Sequence, residues 1–213
     1  MTLKDELFGP KKEDVYRQLA SDLNGKFLLG DFYNPVKVDV PFQNWTITLD
    51  TNVRMEFINI STGNPYGGNV EYTRVRSPFI KTCNFQFAIT NTSTLDSFVK
   101  IFGAQDITIG DEIFDNKFTI KGNDEIKIKE LFSNTDIRNL ILELAQVNLA
   151  IRTKKSMFGD ELPENVNEIF FKAEDAITDI NKLKLLAQLF SEILIQLHKI
   201  GLAKNDKPNS ILT

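Results

Sequence analysis

The sequence predicts an α+β fold: mainly antiparallel strands, an N-terminal helix, and a long amphipathic C-terminal helix covering one face of the sheet. Three observations carry this. The runs VKVDV (36–40), WTITL (45–49) and NFQFAIT (84–90) alternate along the chain, the period of a strand with one buried side. Short stretches rich in Asn, Pro and Gly separate such runs, which favours antiparallel neighbours. Leu183, Leu186, Phe190, Ile193, Leu197 and Ile200 recur at steps of three and four, the period of a helix with an apolar stripe.

Taken in order, residues 10–23 form the first helix. Pro10 suits its first turn, Val15, Leu19 and Leu23 line one side, and Asn24-Gly25 ends it. Strands are expected at 26–29, 36–40, 45–49, 54–60, 70–76 and 84–90, with STGNPYGGN (61–69) as a hairpin tip. A short helix runs from Ser93 or Thr94 through Leu95, Phe98, Val99 and Phe102 to Gly103. Strands at 106–109 and 117–121 bracket an acid-rich motif. Asn123 then caps a helix through Ile126, Ile128 and Leu131-Phe132, and another helix spans 135–145. Strands at 147–152 and 168–173 follow, then the last helix at 179–200. Leu185, Leu189 and Leu194 widen its stripe, while Ile195 lies among Lys184, Gln188, Ser191 and Lys199 on the polar side. Residues 1–205 are expected to be one α+β unit, with two lobes (1–92, β-rich; 93–205, α+β) as the alternative and 206–213 as a flexible tail.

Composition narrows the chemistry. A net charge of −4 disfavours a nucleic-acid partner, whose phosphates call for a basic surface. The 213 residues include 17 phenylalanines, aromatic bulk for a core. No uncharged apolar run is long enough to span a bilayer, and the N-terminal stretch lacks an export segment, so a cytoplasmic location is expected. Three glycosylation sequons (Asn44, Asn59, Asn91) occur where chance supplies about two in a chain so rich in asparagine, and without an export signal they carry little weight. Cys83 is the lone cysteine, which excludes an internal disulfide, and it is expected to be a buried or half-buried structural thiol. His198, the lone histidine, sits near the end of the last helix, where a cation complements the helix dipole.

The motif GDEIFDNKFTIKGND (110–124) invites three readings. As a turn, Gly110 and Gly122 supply positive φ, Asp111 accepts from amides of the next turn, and Asp115 pairs with Lys117 or Lys121. A helical turn over 112–117 brings Phe114 and Phe118 together. As a calcium loop it fails on spacing, because a lysine falls among the ligand positions. As a hydrolase site it needs Asp111 and Asp115 to converge in a cleft. With KIKELFSN after it, the motif resembles a Gly-Asp-x-x-Phe-Asp-x-x-Phe segment of an uncharacterised bacterial protein family. Gly110, Asp111, Phe114, Asp115 and Phe118 match, and GPKKEDVYRQLA and the strands look similar too. The resemblance implies a shared fold and no chemistry.

The remaining binding candidates are Tyr66, Arg74 and Arg76. Tyr66 is the natural stacking side chain of the glycine-rich tip. Arg74 and Arg76 share one face of a strand, placed to grip a carboxylate or phosphate or to pair with acids such as Glu56 or Glu71. No cofactor or metal is expected. Two functions fit: a non-enzymatic binding or protein-interaction module, with a homo-oligomer formed through the C-terminal helix, or a carboxylate- or metal-dependent hydrolase using Asp111 and Asp115.

Overall fold

The computed structural model describes residues 11–30, 36–58, 66–92, 106–152 and 162–208, with the side chains of 54–58 and 66–69 outside that description. The expected short helix at 93–103 and the end of the tail, 209–213, lie outside it as well. The architecture is α+β, with a nine-stranded antiparallel sheet and five helices among the described residues.

Helix α1 (Lys12–Asp22) precedes β1 (Lys26–Leu28), β2 (Lys37–Phe42), β3 (Trp45–Ile58), β4 (Tyr66–Lys81) and β5 (Phe87–Asn91). Then come α2 (Glu112–Lys117), β6 (Phe118–Gly122), α3 (Glu125–Phe132), α4 (Thr135–Glu143), β7 (Asn148–Arg152), β8 (Val166–Lys172), α5 (Ile180–Lys199) and β9 (Ala203–Lys204). The sheet order is β1-β2-β3-β4-β8-β7-β5-β6, with β9 paired to the end of β4. The seam between β4 and β8 therefore joins the two halves of the chain inside one sheet. No helix among the described residues is long and apolar enough to cross a membrane.

Alternation sorts the sheet into two faces. Leu49, Val75, Ile89, Ile120, Ile151 and Phe171 point to one face and share a core with Leu19 of α1, Leu131 of α3, Ile141 of α4 and Phe190 of α5. The apolar stripe of α5 is used here: Leu183, Leu186, Leu189, Phe190, Ile193, Leu194 and Leu197 are all buried. Gln196, buried beside them, donates to the Glu130 carbonyl and ties α5 to α3. Lys184, expected in solvent, pairs with Asp22 at 2.6 Å and ties α5 to α1.

Several boundaries depart from expectation. Residues 45–60 read as two strands with a break at Asp50-Thr51-Asn52, yet β3 is continuous. Turn-forming side chains break a strand by competing for backbone groups. Here Asp50 is held by arginines on β4, and Asn52 turns only onto the Val53 amide, 2.7 Å away, on the strand's outer edge. The expected strand at 106–109 shrinks to one bridge, Ile107 to Ile120, because the next amides donate to Asp115 instead. Gly110 does take positive φ, at 83°, but Gly122 does not. A Cβ on Gly122 would stand 2.4 Å from Ile128 Cδ1 and 2.7 Å from the Gln86 carbonyl, so it is close approach that demands glycine. Asn123 does not cap α3. Asp124 does, accepting from the Lys127 amide, while Asn123 bonds the backbone of Asn84 and Gln86. Ahead of the expected tail, Lys204 lies in β9 and the Asn205 carbonyl accepts from Asn44 at 2.7 Å.

Candidate functional site

The acid-rich motif folds as a capped turn. Asp111 is the N-cap of α2, accepting from the Phe114 amide at 3.2 Å, and its other oxygen lies 3.2 Å from Arg138 Nε. Asp115 reaches backward instead of pairing with Lys117 or Lys121. Its two oxygens accept from the amides of Ile109 and Gly110, both at 2.9 Å. Lys117 donates to the Leu142 carbonyl and Lys121 pairs with Asp106. The rings of Phe114 and Phe118 sit 4.9 Å apart, with Phe132 against Phe114. Both carboxylates thus have their oxygens committed, three to backbone amides and one, of Asp111, to Arg138. Among the described residues, no three His, Cys, Asp or Glu side chains gather as a metal site.

The arginine pair lies on the sheet face opposite the helices. Asp50 stands directly across from Arg74, and Arg76 is its diagonal neighbour. Arg74 forks onto Asp50, Nε to Oδ1 at 2.7 Å and an Nη to Oδ2 at 3.0 Å, and Arg76 reaches Oδ2 at 2.7 Å. Asp50, and not the expected Glu71, holds the pair, and the side chain of the other expected partner, Glu56, lies outside the described residues. Glu71, an odd number of residues from Arg74 along β4, projects from the other, helix-covered face and meets Lys12 of α1. The Asp50 side chain is fully buried and that of Arg76 nearly so, at 4%. Buried charges demand this pairing, since desolvation of an isolated ion costs several kcal/mol.

Sequence reading misses the third guanidinium. Arg152 lies across from Glu168 and binds its Oε2 at 2.6 Å through Nε and an Nη. Its guanidinium stacks on the Phe170 ring at 3.6 Å from the centroid. Phe170 is the register partner of Arg76, so Arg152 leans across β8 toward the arginines of β4. Burial lowers its pKa, and the charges of Arg76 and Arg74 lower it further against the pull of Glu168. The signal available in sequence was alternation on 147–152, which puts Arg152 on the face away from Leu149 and Ile151.

Tyr66 opens β4 rather than sitting in a tip, and its side chain lies outside the described residues. From Asn52–Tyr72 to Ile58–Tyr66, β3 and β4 pair only with each other among the described residues, so they leave the sheet as a two-stranded ribbon. Its length is about 20 Å at 3.3 Å per residue. Val53 near its base is 53% exposed. Cys83 is exposed, not buried, because β4 has ended before it and residues 82–84 run over the surface. His198 Nδ1 lies 3.0 Å from the Ala203 carbonyl, bracing the turn after α5.

No protein-family model and no curated protein matches the chain. Among solved structures, the chain is similar to the crystal structure of the mycobacterial trehalose monomycolate transport factor A, TtfA, with a TM-score of 0.51 at 5% identity. The match covers 94% of this chain and 98% of that one. The likeness is one of fold.

Proposed function

We propose that this chain is a non-enzymatic, cytoplasmic binding module that engages another protein through the β3–β4 ribbon. The observation that carries the reading is that β3 and β4 continue past their flanking strands as a pair. A two-stranded ribbon is marginal in water, because it hides little apolar surface and leaves backbone donors and acceptors along its edges. Such an arm gains order when a partner covers it, and strand addition to an open edge is a recurring way to do so. The caps made by Asp111 and Asp115 support the non-enzymatic half, since both carboxylates are committed to backbone amides and Arg138.

A photo-crosslinking residue placed at Val53 in the full chain, expressed in its native cell, tests the reading. A discrete protein adduct at Val53, absent when the same residue stands at the still more exposed Ile126, is the expected result. No adduct at Val53, or the same adducts at both positions, overturns it. Turnover of generic phosphate or ester substrates that needs a divalent metal and disappears in Asp111→Asn with Asp115→Asn would replace it with the hydrolase reading.

A further inference from the structure

Three guanidiniums from two strands share the sheet face opposite the helices: those of Arg74 and Arg76 turn to Asp50 on β3, and that of Arg152 lies over Phe170 of β8. Asp50 brings one negative charge to two of them, Arg74 and Arg76, and Glu168 brings one to Arg152. Arg74 uses its Nε and one Nη on Asp50, and Arg152 uses its Nε and one Nη on Glu168. Each therefore keeps a second terminal amine, and among the described residues nothing else binds it. Their side chains remain 13% and 21% exposed, so solvent reaches this edge, whereas Asp50 and Glu168 lie beneath it at 0% and 3%. The carboxylates act as a floor that fixes the forks, and the stack on Phe170 stops Arg152 from swinging away.

We propose that the solvent-facing edge formed by Arg74 and Arg152, with Arg76 adding its charge, binds a phosphate-type oxyanion. Guanidinium donors in a fixed fork suit the tetrahedral oxygens of phosphate, and a dianion relieves the repulsion among clustered cations better than a single carboxylate does. The lowered pKa of Arg152, traced to burial and to its two arginine neighbours, agrees with a cluster that an anion would stabilise. The site is independent of the ribbon: it lies within the sheet, and a partner on the arm need not touch it.

The test is calorimetric titration of the full chain, at low and constant ionic strength, with inorganic phosphate, glycerol 3-phosphate and succinate. Saturable binding of both phosphates is expected, weakened about tenfold or more in Arg152→Gln by loss of a charged hydrogen bond, and less in Arg152→Lys, which keeps the charge without the fork. Lys129→Gln, in an exposed helical pair on α3, should bind like the unchanged chain. Far-UV circular dichroism confirms folding, and Arg74→Gln gives a second route should Arg152→Gln unfold. No saturable phosphate binding, binding unchanged in folded Arg152→Gln or Arg74→Gln, or succinate binding as tightly as phosphate would overturn the proposal.

Discussion

At the scale of the residue, the groups that matter are those whose chemistry is fully committed. Asp115 satisfies two amides at once, that of Ile109 half-buried and that of Gly110 exposed, so Asp115→Ala should cost about 1–2 kcal/mol in a urea unfolding curve. Asp111→Ala removes one helix cap and a half-exposed ion pair and should cost about 1 kcal/mol. Tyr16 governs the alkaline limb. Its hydroxyl is fully buried, and burial raises its pKa above the ordinary value of 10.0. The folded chain therefore keeps a proton that the unfolded chain releases once pH passes 10.0, and stability falls as pH rises from there. One such proton contributes a slope of up to about 1.4 kcal/mol per pH unit. Unfolding free energies measured between about pH 9 and about pH 11 should fall less steeply in Tyr16→Phe, by up to that slope.

Elements divide into those that local pattern reveals and those that distant partners decide. The stripe of α5, the turn of α2, and the pairing of β7 with β8 are legible because a period in the sequence states which side is buried. The unbroken course of β3 is not legible, because Asp50 reads as a breaker until Arg74 and Arg76 are placed beside it across a hairpin. Arg152 escapes notice for the same reason: its role depends on Glu168 and Phe170, strand neighbours that only the register supplies. The caps shift by one residue, from Asn123 to Asp124, because Asn123 is drawn to the backbone at 84–86. The helix α5 also carries the case for a second copy of the chain, and its apolar stripe lies on the core. Leu189→Ala should accordingly cost about 2–5 kcal/mol, the range for emptying a packed leucine site. Ile195→Glu, at a position 38% exposed, should change stability by no more than about 0.5 kcal/mol and leave the mass by light scattering unchanged.

The whole molecule turns on the seam between β4 and β8. Arg74 through Ile80 of β4 pair with Lys172 back to Val166 of β8, so the N-terminal strands and the C-terminal strands share one ladder and one apolar face. Val75, Ile169, Phe171 and the α5 leucines lie in a single core that no lobe can expose alone. A pair of weakly joined lobes would unfold in two steps, whereas a shared ladder and core impose one. The chain supplies its own reporters. Trp45, its single tryptophan, is buried in β3 on the N-terminal side of the seam, and α5, its longest helix, lies on the other. Urea unfolding followed by Trp45 fluorescence and by helical circular dichroism should therefore give superimposable transitions. Ile169→Ala, at the buried centre of the seam, should shift both midpoints together, by an amount corresponding to about 2–5 kcal/mol. Separate midpoints, or a shift confined to the circular dichroism signal, would mean that the two halves hold their structure independently and that β4–β8 pairing is a contact between units rather than the spine of one.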